Sequence, residues 1–388
     1  MYTKISSDEI SAIPKIQHFC SFIIRKICIF LYILLYIMNL QKRFKLISKD
    51  ALFTLINRFI DDYSVIAPKK RNNQVYYDHV ASADEVELDY KGTPLLPPKR
   101  FFFPEREVMF AYELEEGGVR IFDKCDEIGK SRRVLVGVRP CDIWSLKMLD
   151  KVFIGEFHDP YYASRRENTI IIGLTCNEPT EHCFCSFTKT GPSINEGFDL
   201  LLTDLGEYYL VEVGSETGER LVALNNDLFM NASAGDLKAR ERILAQVDAE
   251  IREQGLPSLT DMHDKMVKTF DAEVWNRYGE KCLSCGKCNF TCPTCRCFDI
   301  RDEPSLDLKR GVRVRVWDSC HFLSFTRVAS GEVFRKERPS RLKQRIYHKY
   351  CYSIDEIGSI SCVGCGRCIR VCSAGIDLRK VLLEVNAL

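Results

Sequence analysis

Cys282-Leu-Ser-Cys285-Gly-Lys-Cys288-Asn-Phe-Thr-Cys292-Pro293 is the stretch that decides the reading of this chain, and it has a second copy, Cys362-Val-Gly-Cys365-Gly-Arg-Cys368-Ile-Arg-Val-Cys372. Both have the spacing C-x2-C-x2-C-x3-C. In a ferredoxin run of this form the first three thiolates take three corners of one [4Fe-4S] cluster, and the fourth ligates the other cluster of the pair. Crossing the fourth ligands assigns Cys282, Cys285, Cys288 and Cys372 to one cluster. Cys362, Cys365, Cys368 and Cys292 then hold the second. Gly286, Gly364 and Gly366 let the backbone wrap closely around sulfur. Pro293 stops the turn from continuing past the last ligand.

Zinc is the competing metal, but an all-cysteine tetrahedral site is usually built from two separated pairs. Three cysteines at successive x2 spacings fit a cubane better. A disulfide framework is disfavoured, because 388 residues can bury a real core and the cysteines are bunched as ligand sets. The length implies two or three domains. Hydrophobic content of 46% and charged content of 28% are ordinary for a soluble globular protein. A net charge of +1 gives no case for nucleic acid as a partner. Nineteen cysteines imply a reducing compartment, and the expected localisation is cytoplasmic.

The reading divides the chain into a leader (1–45), an α/β domain with a mixed sheet (46–232) and a mainly α-helical dicluster ferredoxin domain (233–388). In the leader, the unbroken apolar run Ile27–Met38 has 12 residues, short of the roughly 20 that span a bilayer. Membrane attachment is therefore not expected. The segment reads as an anchor, as a buried helix, or as residues upstream of a true start at Met38, the preferred reading. Leu52, Leu55, Ile56, Phe59 and Ile60 have helical spacing, with Ser48 or Asp50 as the cap. Arg133–Val138, a helix over Ile143–Val152 and Thr169–Leu174 form a βαβ unit with parallel strands. Neither strand end carries a dinucleotide or P-loop fingerprint. Phe198–Thr203 and Tyr208–Val213 read as a hairpin turning at Gly206. Phe322–Val328 and Val333–Tyr350 read as helical, with Pro339 kinking or breaking the second. Residues 309–349 hold twelve Lys/Arg against three Asp/Glu. That excess reads equally as a solvated basic helix or as a positive field beside the clusters.

Beyond the eight ligands of the two runs, and apart from Cys20 and Cys28 of the leader, nine cysteines remain. Cys141 and Cys176 follow the two parallel strands, where open α/β sheets place ligands. With Cys183 and Cys185 they make four thiols for a possible third cluster. Cys295, Cys297 and Cys320 are a weaker rival set, short of a fourth ligand unless Cys351 or a non-cysteine group supplies it.

Several motifs in order extend the reading. Gly137-Val-Arg-Pro-Cys-Asp142, Cys176-x6-Cys183-Phe-Cys185, Gly197-Phe-Asp-Leu-Leu-Leu-Thr-Asp204, Cys292-Pro-Thr-Cys295-Arg-Cys297, Trp317-Asp-Ser-Cys320 and the Cys362 run stand in this order. Over about residues 46–385 the chain resembles the iron–sulfur beta subunits of cytoplasmic sulfhydrogenases (NiFe hydrogenases), which are similar to the iron–sulfur subunit of anaerobic sulfite reductase. The second run ends Cys372-Ser rather than the usual Cys-Pro, which removes no ligand.

The resemblance implies an electron carrier between a flavin subunit that binds NAD(P)H and a separate catalytic subunit. The missing dinucleotide fingerprint fits that division of labour. A second reading is an iron–sulfur enzyme acting on a thiol or disulfide through a cluster with an open coordination position. The cysteine-rich loops at 141–185 and 295–320 keep it open. No nucleophilic triad is visible, and no catalytic residue is assigned.

Overall fold

The computed structural model describes residues 43–388, apart from 257 and 260. The leader up to residue 42 and the start at Met38 therefore lie outside the described residues. Among the described residues, twelve strands form two sheets: β1 (Phe44–Ser48), β2 (Ser64–Arg71), β3 (Gln74–His79), β4 (Arg106–Glu115), β5 (Gly118–Asp123), β6 (Arg133–Val138), β7 (Thr169–Leu174), β8 (Leu200–Asp204), β9 (Tyr208–Val213), β10 (Met230–Asn231), β11 (Phe298–Pro304) and β12 (Arg310–Trp317).

The larger sheet has the order β10-β1-β9-β8-β7-β6-β2-β3. Its centre, β8-β7-β6-β2, is parallel, and antiparallel strands close both flanks. This is the mixed sheet expected from the βαβ pattern. Every residue of β6 is buried, as a strand covered on both faces requires. One face packs on the helix Lys49–Asp62 through Leu52, Leu55, Ile56 and Phe59. Ser48 caps that helix by accepting from the Ala51 amide at 3.1 Å. The other face packs on the helices Pro140–Phe153 and Pro160–Glu167. The first of these begins earlier than the pattern predicts, because Pro140 occupies its first turn, where a missing N–H costs nothing. Cys141 and Asp142 thus sit on helix rather than turn.

The smaller sheet, β11-β12-β4-β5, is antiparallel and takes two strands from each half of the chain. The β11–β12 hairpin is strand structure inside the region expected to be mainly helical. Around the two cysteine runs that region is helical. Helices Val274–Lys281, Arg338–Tyr347 and Leu378–Ala387 bury Trp275, Tyr278, Leu342, Ile346, Val381, Leu382 and Val385 in one core. Pro339 does not break a helix over 333–350. It opens the helix Arg338–Tyr347 in its first turn, and the residues before it are not helical. Of the stretch 322–328, only Leu323–Thr326 forms a single 3-10 turn. After Tyr347 the helix widens into a π turn, His348–Tyr352, a feature frequent at functional sites. No helix among the described residues is long and apolar enough to cross a membrane.

Candidate iron–sulfur centre

The two runs fold alike. Ser284 and Gly286 have φ of 50° and 73°, and Gly364 and Gly366 have φ of 59° and 70° at the matching positions. Two left-handed residues per run curl the chain around its sulfurs and point amides inward. The Ser284 amide donates to Cys282 Sγ at 3.4 Å, and the Ile376 amide donates to Cys372 Sγ at 3.2 Å. Only Gly tolerates position 366: a Cβ there would lie 2.7 Å from the His182 carbonyl carbon and nearer still to its oxygen.

Each run faces a cavity. One is lined by Cys282 and Cys288 of the first run and Cys372 of the second. The other is lined by Cys362, Cys365 and Cys368 of the second run and Cys292 of the first. Cys292 thus stands with the first three cysteines of the second run, and Cys372 with the first and third of the first run. Cys368 also borders the first cavity, while Cys285 is exposed on its loop and does not line it. A tetrahedral zinc would draw its sulfurs to about 3.8 Å of one another, given a Zn–S bond of about 2.3 Å. Among the described residues no three cysteine sulfurs gather within 4.8 Å. The spacing and the thiol-lined cavities fit cubanes.

The charges around these cavities do not balance without anionic sulfur. Arg345 and Lys349 are 5% and 4% exposed, yet neither meets a carboxylate. Arg345 bonds Asn289 Oδ1 at 2.8 Å and the Cys288 carbonyl at 3.2 Å, and it borders both cavities. Lys349 Nζ donates to Cys292 Sγ at 3.2 Å, to Thr294 Oγ1 at 3.0 Å and to the Ser361 carbonyl at 3.2 Å. Burial works against its charge, but the facing Cys292 and Cys295 outweigh it and hold the ammonium above its ordinary pKa. Burial, then Arg345 and Arg341, push the His321 imidazole down to about 3. It is therefore neutral, and its Nδ1 lies 3.9 Å from Cys282 Sγ rather than on the adjacent Cys320.

Cys141, Cys176, Cys183 and Cys185 are all buried and are brought together. Burial, then Cys183, Cys176 and Cys365, raise the Cys185 thiol; burial, Asp142, Cys365 and Cys185 raise that of Cys141. This set touches the second run directly: the Phe184 amide donates to the Gly364 carbonyl at 2.7 Å. Asp142 is locked to buried Arg367 through two bonds of 2.6 and 2.7 Å. Arg139, buried beside Cys176, bonds three backbone carbonyls and no carboxylate.

Cys295, Cys297 and Cys320 line a third cavity, which Lys349 also borders. A hydrogen bond with Cys320 pulls the Cys297 thiol down to about 6. Cys351 is not its fourth member, because its sulfur lies with His263 and Asp355.

The residues that the motif reading passes over are the buried cations. Their signal is positional: Arg341, Arg345 and Lys349 recur at intervals of four on one helical face. All three are buried, whereas most of the other cations in 309–349 are not. At Arg345 and Lys349 the basic excess is therefore a field turned inward onto sulfur, whereas Arg341 bonds the backbone carbonyls of His321, Arg335 and Lys336.

Crossed, thiol-lined cavities in a helical unit locked onto an α/β sheet define an iron–sulfur electron-transfer subunit of the dicluster type. Residues 281–376 match the family described as 4Fe-4S dicluster domain. Over 334 residues the chain is 37% identical to sulfhydrogenase 2 subunit beta of Pyrococcus furiosus, covering 85% of this chain and 94% of that protein. The chain belongs to the sulfhydrogenase beta-subunit family.

Proposed function

We propose that this chain relays electrons between a flavin subunit that binds NAD(P)H and a catalytic subunit of NiFe hydrogenase or sulfite reductase type, in the cytoplasm. The observation that carries the reading is the pair of crossed cavities. The kinship with a protein named as a sulfhydrogenase beta subunit supports partner subunits. Cys282, Cys285, Cys288 and Cys372 hold one [4Fe-4S] cluster, and Cys362, Cys365, Cys368 and Cys292 hold the other. When bound, these groups supply one-electron redox chemistry. The chain holds them, shields them from water behind the Trp275–Leu382 core, and answers their charge with Arg345 and Lys349. Cys141, Cys176, Cys183 and Cys185 hold a third cluster, placed against the second run for exchange with a partner.

Cys292→Ala tests the crossing. It should alter the centre held by Cys362, Cys365 and Cys368 and leave the Cys282 centre intact in electron paramagnetic resonance of the reduced protein. Loss of the Cys282 centre alone overturns the assignment. Anaerobic capture of the full chain should retrieve a flavoprotein and a metalloenzyme subunit; recovery of the iron-loaded chain alone counts against the relay.

A further inference from the structure

The third cavity has the ingredients of the other two. Three of its walls are thiols, and Arg345 and Lys349 stand in its lining as they do in that of the Cys292 cavity. Its other metal-binding side chain is His348, on the π turn His348–Tyr352. The remaining lining is cationic or neutral: Thr294, Arg296, Arg345, Lys349 and Ser361. We propose that Cys295, Cys297, Cys320 and His348 hold a further iron–sulfur cubane, adjacent to the Cys292 centre. The proposal rests on the reading of the chain as an iron–sulfur carrier and adds a site to it.

Three observations carry it. The first is charge. Lys99 is 2% exposed, and its Nζ donates to the Cys295 carbonyl at 2.7 Å. Among the described residues it has no carboxylate partner, and neither do Arg345 and Lys349. A buried cation left alone is costly, so Arg345 and Lys349, both in the wall of this cavity, call for anionic sulfur between them, while Lys99 stacks over the Trp317 ring at 4.2 Å. By contrast Arg367, equally buried, has its own carboxylate in Asp142. The second is orientation. His348 Nε2 lies 3.5 Å from Glu356 Oε2, and Arg296 Nη2 holds that carboxylate at 2.5 Å. A metal-bound histidine commonly gives its other ring nitrogen to a carboxylate in this way. Nδ1 is then the ligand atom. The third is continuity. Arg345 borders all three cavities, and Lys349 borders this one and that of Cys292. Thr294 ties them further, with its Oγ1 at 3.2 Å from Cys292 Sγ and its side chain in the third wall. The three sites therefore adjoin one another.

Three cysteines and a histidine are also a zinc set. The ligand atoms here do not gather in threes within 4.8 Å, as they would around a single ion.

The test is metal analysis and spectroscopy of the anaerobically purified full chain. Cys297→Ser/Cys320→Ser should lose about four irons per chain while both dicluster signals persist. Cys183→Ser/Cys185→Ser, which removes ligands of a different cluster, should leave the His348-bound centre and its spectrum intact. In the parent, pulsed resonance of the reduced protein should show nitrogen coupling on one centre. In His348→Asn that coupling should vanish while the dicluster signals stay. Unchanged iron in the first double variant, stoichiometric zinc in the parent, or no nitrogen coupling overturns the proposal. A parent without dicluster signals would instead defeat the underlying carrier reading. If the first double variant does not fold, the parent's zinc content and the His348 comparison still decide.

Discussion

Lys349 shows how a single residue reports on a group larger than itself. A lysine 4% exposed whose contacts are a thiol, a hydroxyl and a carbonyl keeps its charge only if the sulfur is anionic. The same logic gives it a consequence. Its ammonium lies 3.2 Å from Cys292 Sγ, and each added electron makes that centre more negative. Removing the cation therefore disfavours reduction. A charge-assisted hydrogen bond is worth about 1.5–3 kcal/mol, so Lys349→Met should lower that centre's potential by about 60 mV or more, a tenfold change being 59 mV for one electron. Lys349→Arg should restore most of it. Redox titration followed by electron paramagnetic resonance measures both; an unmoved potential in Lys349→Met would show that the ammonium does not face a charged cluster. The cysteines at this scale are legible, because ligand spacing is local. The cations that answer them are not, because a lysine in sequence gives no sign of which way it points.

Between residues and the whole fold, each cysteine run is a small backbone device. The two runs share their left-handed positions, but their neighbours differ. At Gly286 a Cβ would press on the Phe322 ring at 2.9 Å, and a ring can move. At Gly364 and Gly366 it would meet backbone: the Cys185 amide and Phe184 carbonyl at 2.6 Å, and the His182 peptide. An alanine in either run carries the left-handed penalty of about 1–2 kcal/mol, but only the second-run changes add a collision that cannot relax, about 1–3 kcal/mol more. Gly366→Ala should therefore lower stability by more than Gly286→Ala, about 2–5 kcal/mol against about 1–2. Denaturant midpoints under anaerobic conditions compare them; equal losses would mean that the 182–185 loop yields freely. Element by element, the sequence is uneven. β6 and β7 are legible to the residue, since continuous buried strands need continuous apolar runs. The helix after β6 is misjudged only at its start, where Pro140 reads as a turn. The β11–β12 hairpin is hidden by its own charge. Val312, Val314 and Val316 alternate with Arg313 and Arg315 in a strand period, while the same arginines dominate the composition of 309–349.

At the scale of the molecule, the two halves are built through one another. The smaller sheet joins β12 to β4 over seven paired positions, from Arg310–Glu113 to Val316–Arg106. Buried Arg315 of β12 is paired with Glu107 and Asp159, and Arg165 shares the same Glu107. Trp317 stacks on Phe103 at 6.0 Å from one side, and on Phe290 at 6.3 Å from the other. Arg367, inside the second cysteine run, reaches Asp142 on the first helix after β6 and the Pro94 carbonyl at 2.7 Å. Sequence shows none of this, because all of these contacts except Arg165–Glu107 and Trp317–Phe290 join one half of the chain to the other. Cutting the chain at 233 would strip Arg367 and Arg315 of their carboxylates and of the surface that buries them, giving up two desolvated, hydrogen-bonded ion pairs. It would also expose β12 as an unpaired edge. A small domain's whole stability is about 5–15 kcal/mol. Residues 233–388 expressed alone, under conditions that load the full chain, should therefore fail to hold iron at the dicluster stoichiometry and should lose the near-ultraviolet signal of packed Trp275 and Trp317. Co-expression with residues 43–232 should restore both. Full iron loading and native-like spectra from the isolated half would show that the ferredoxin unit stands by itself, and that the shared sheet is a docking contact rather than part of one fold.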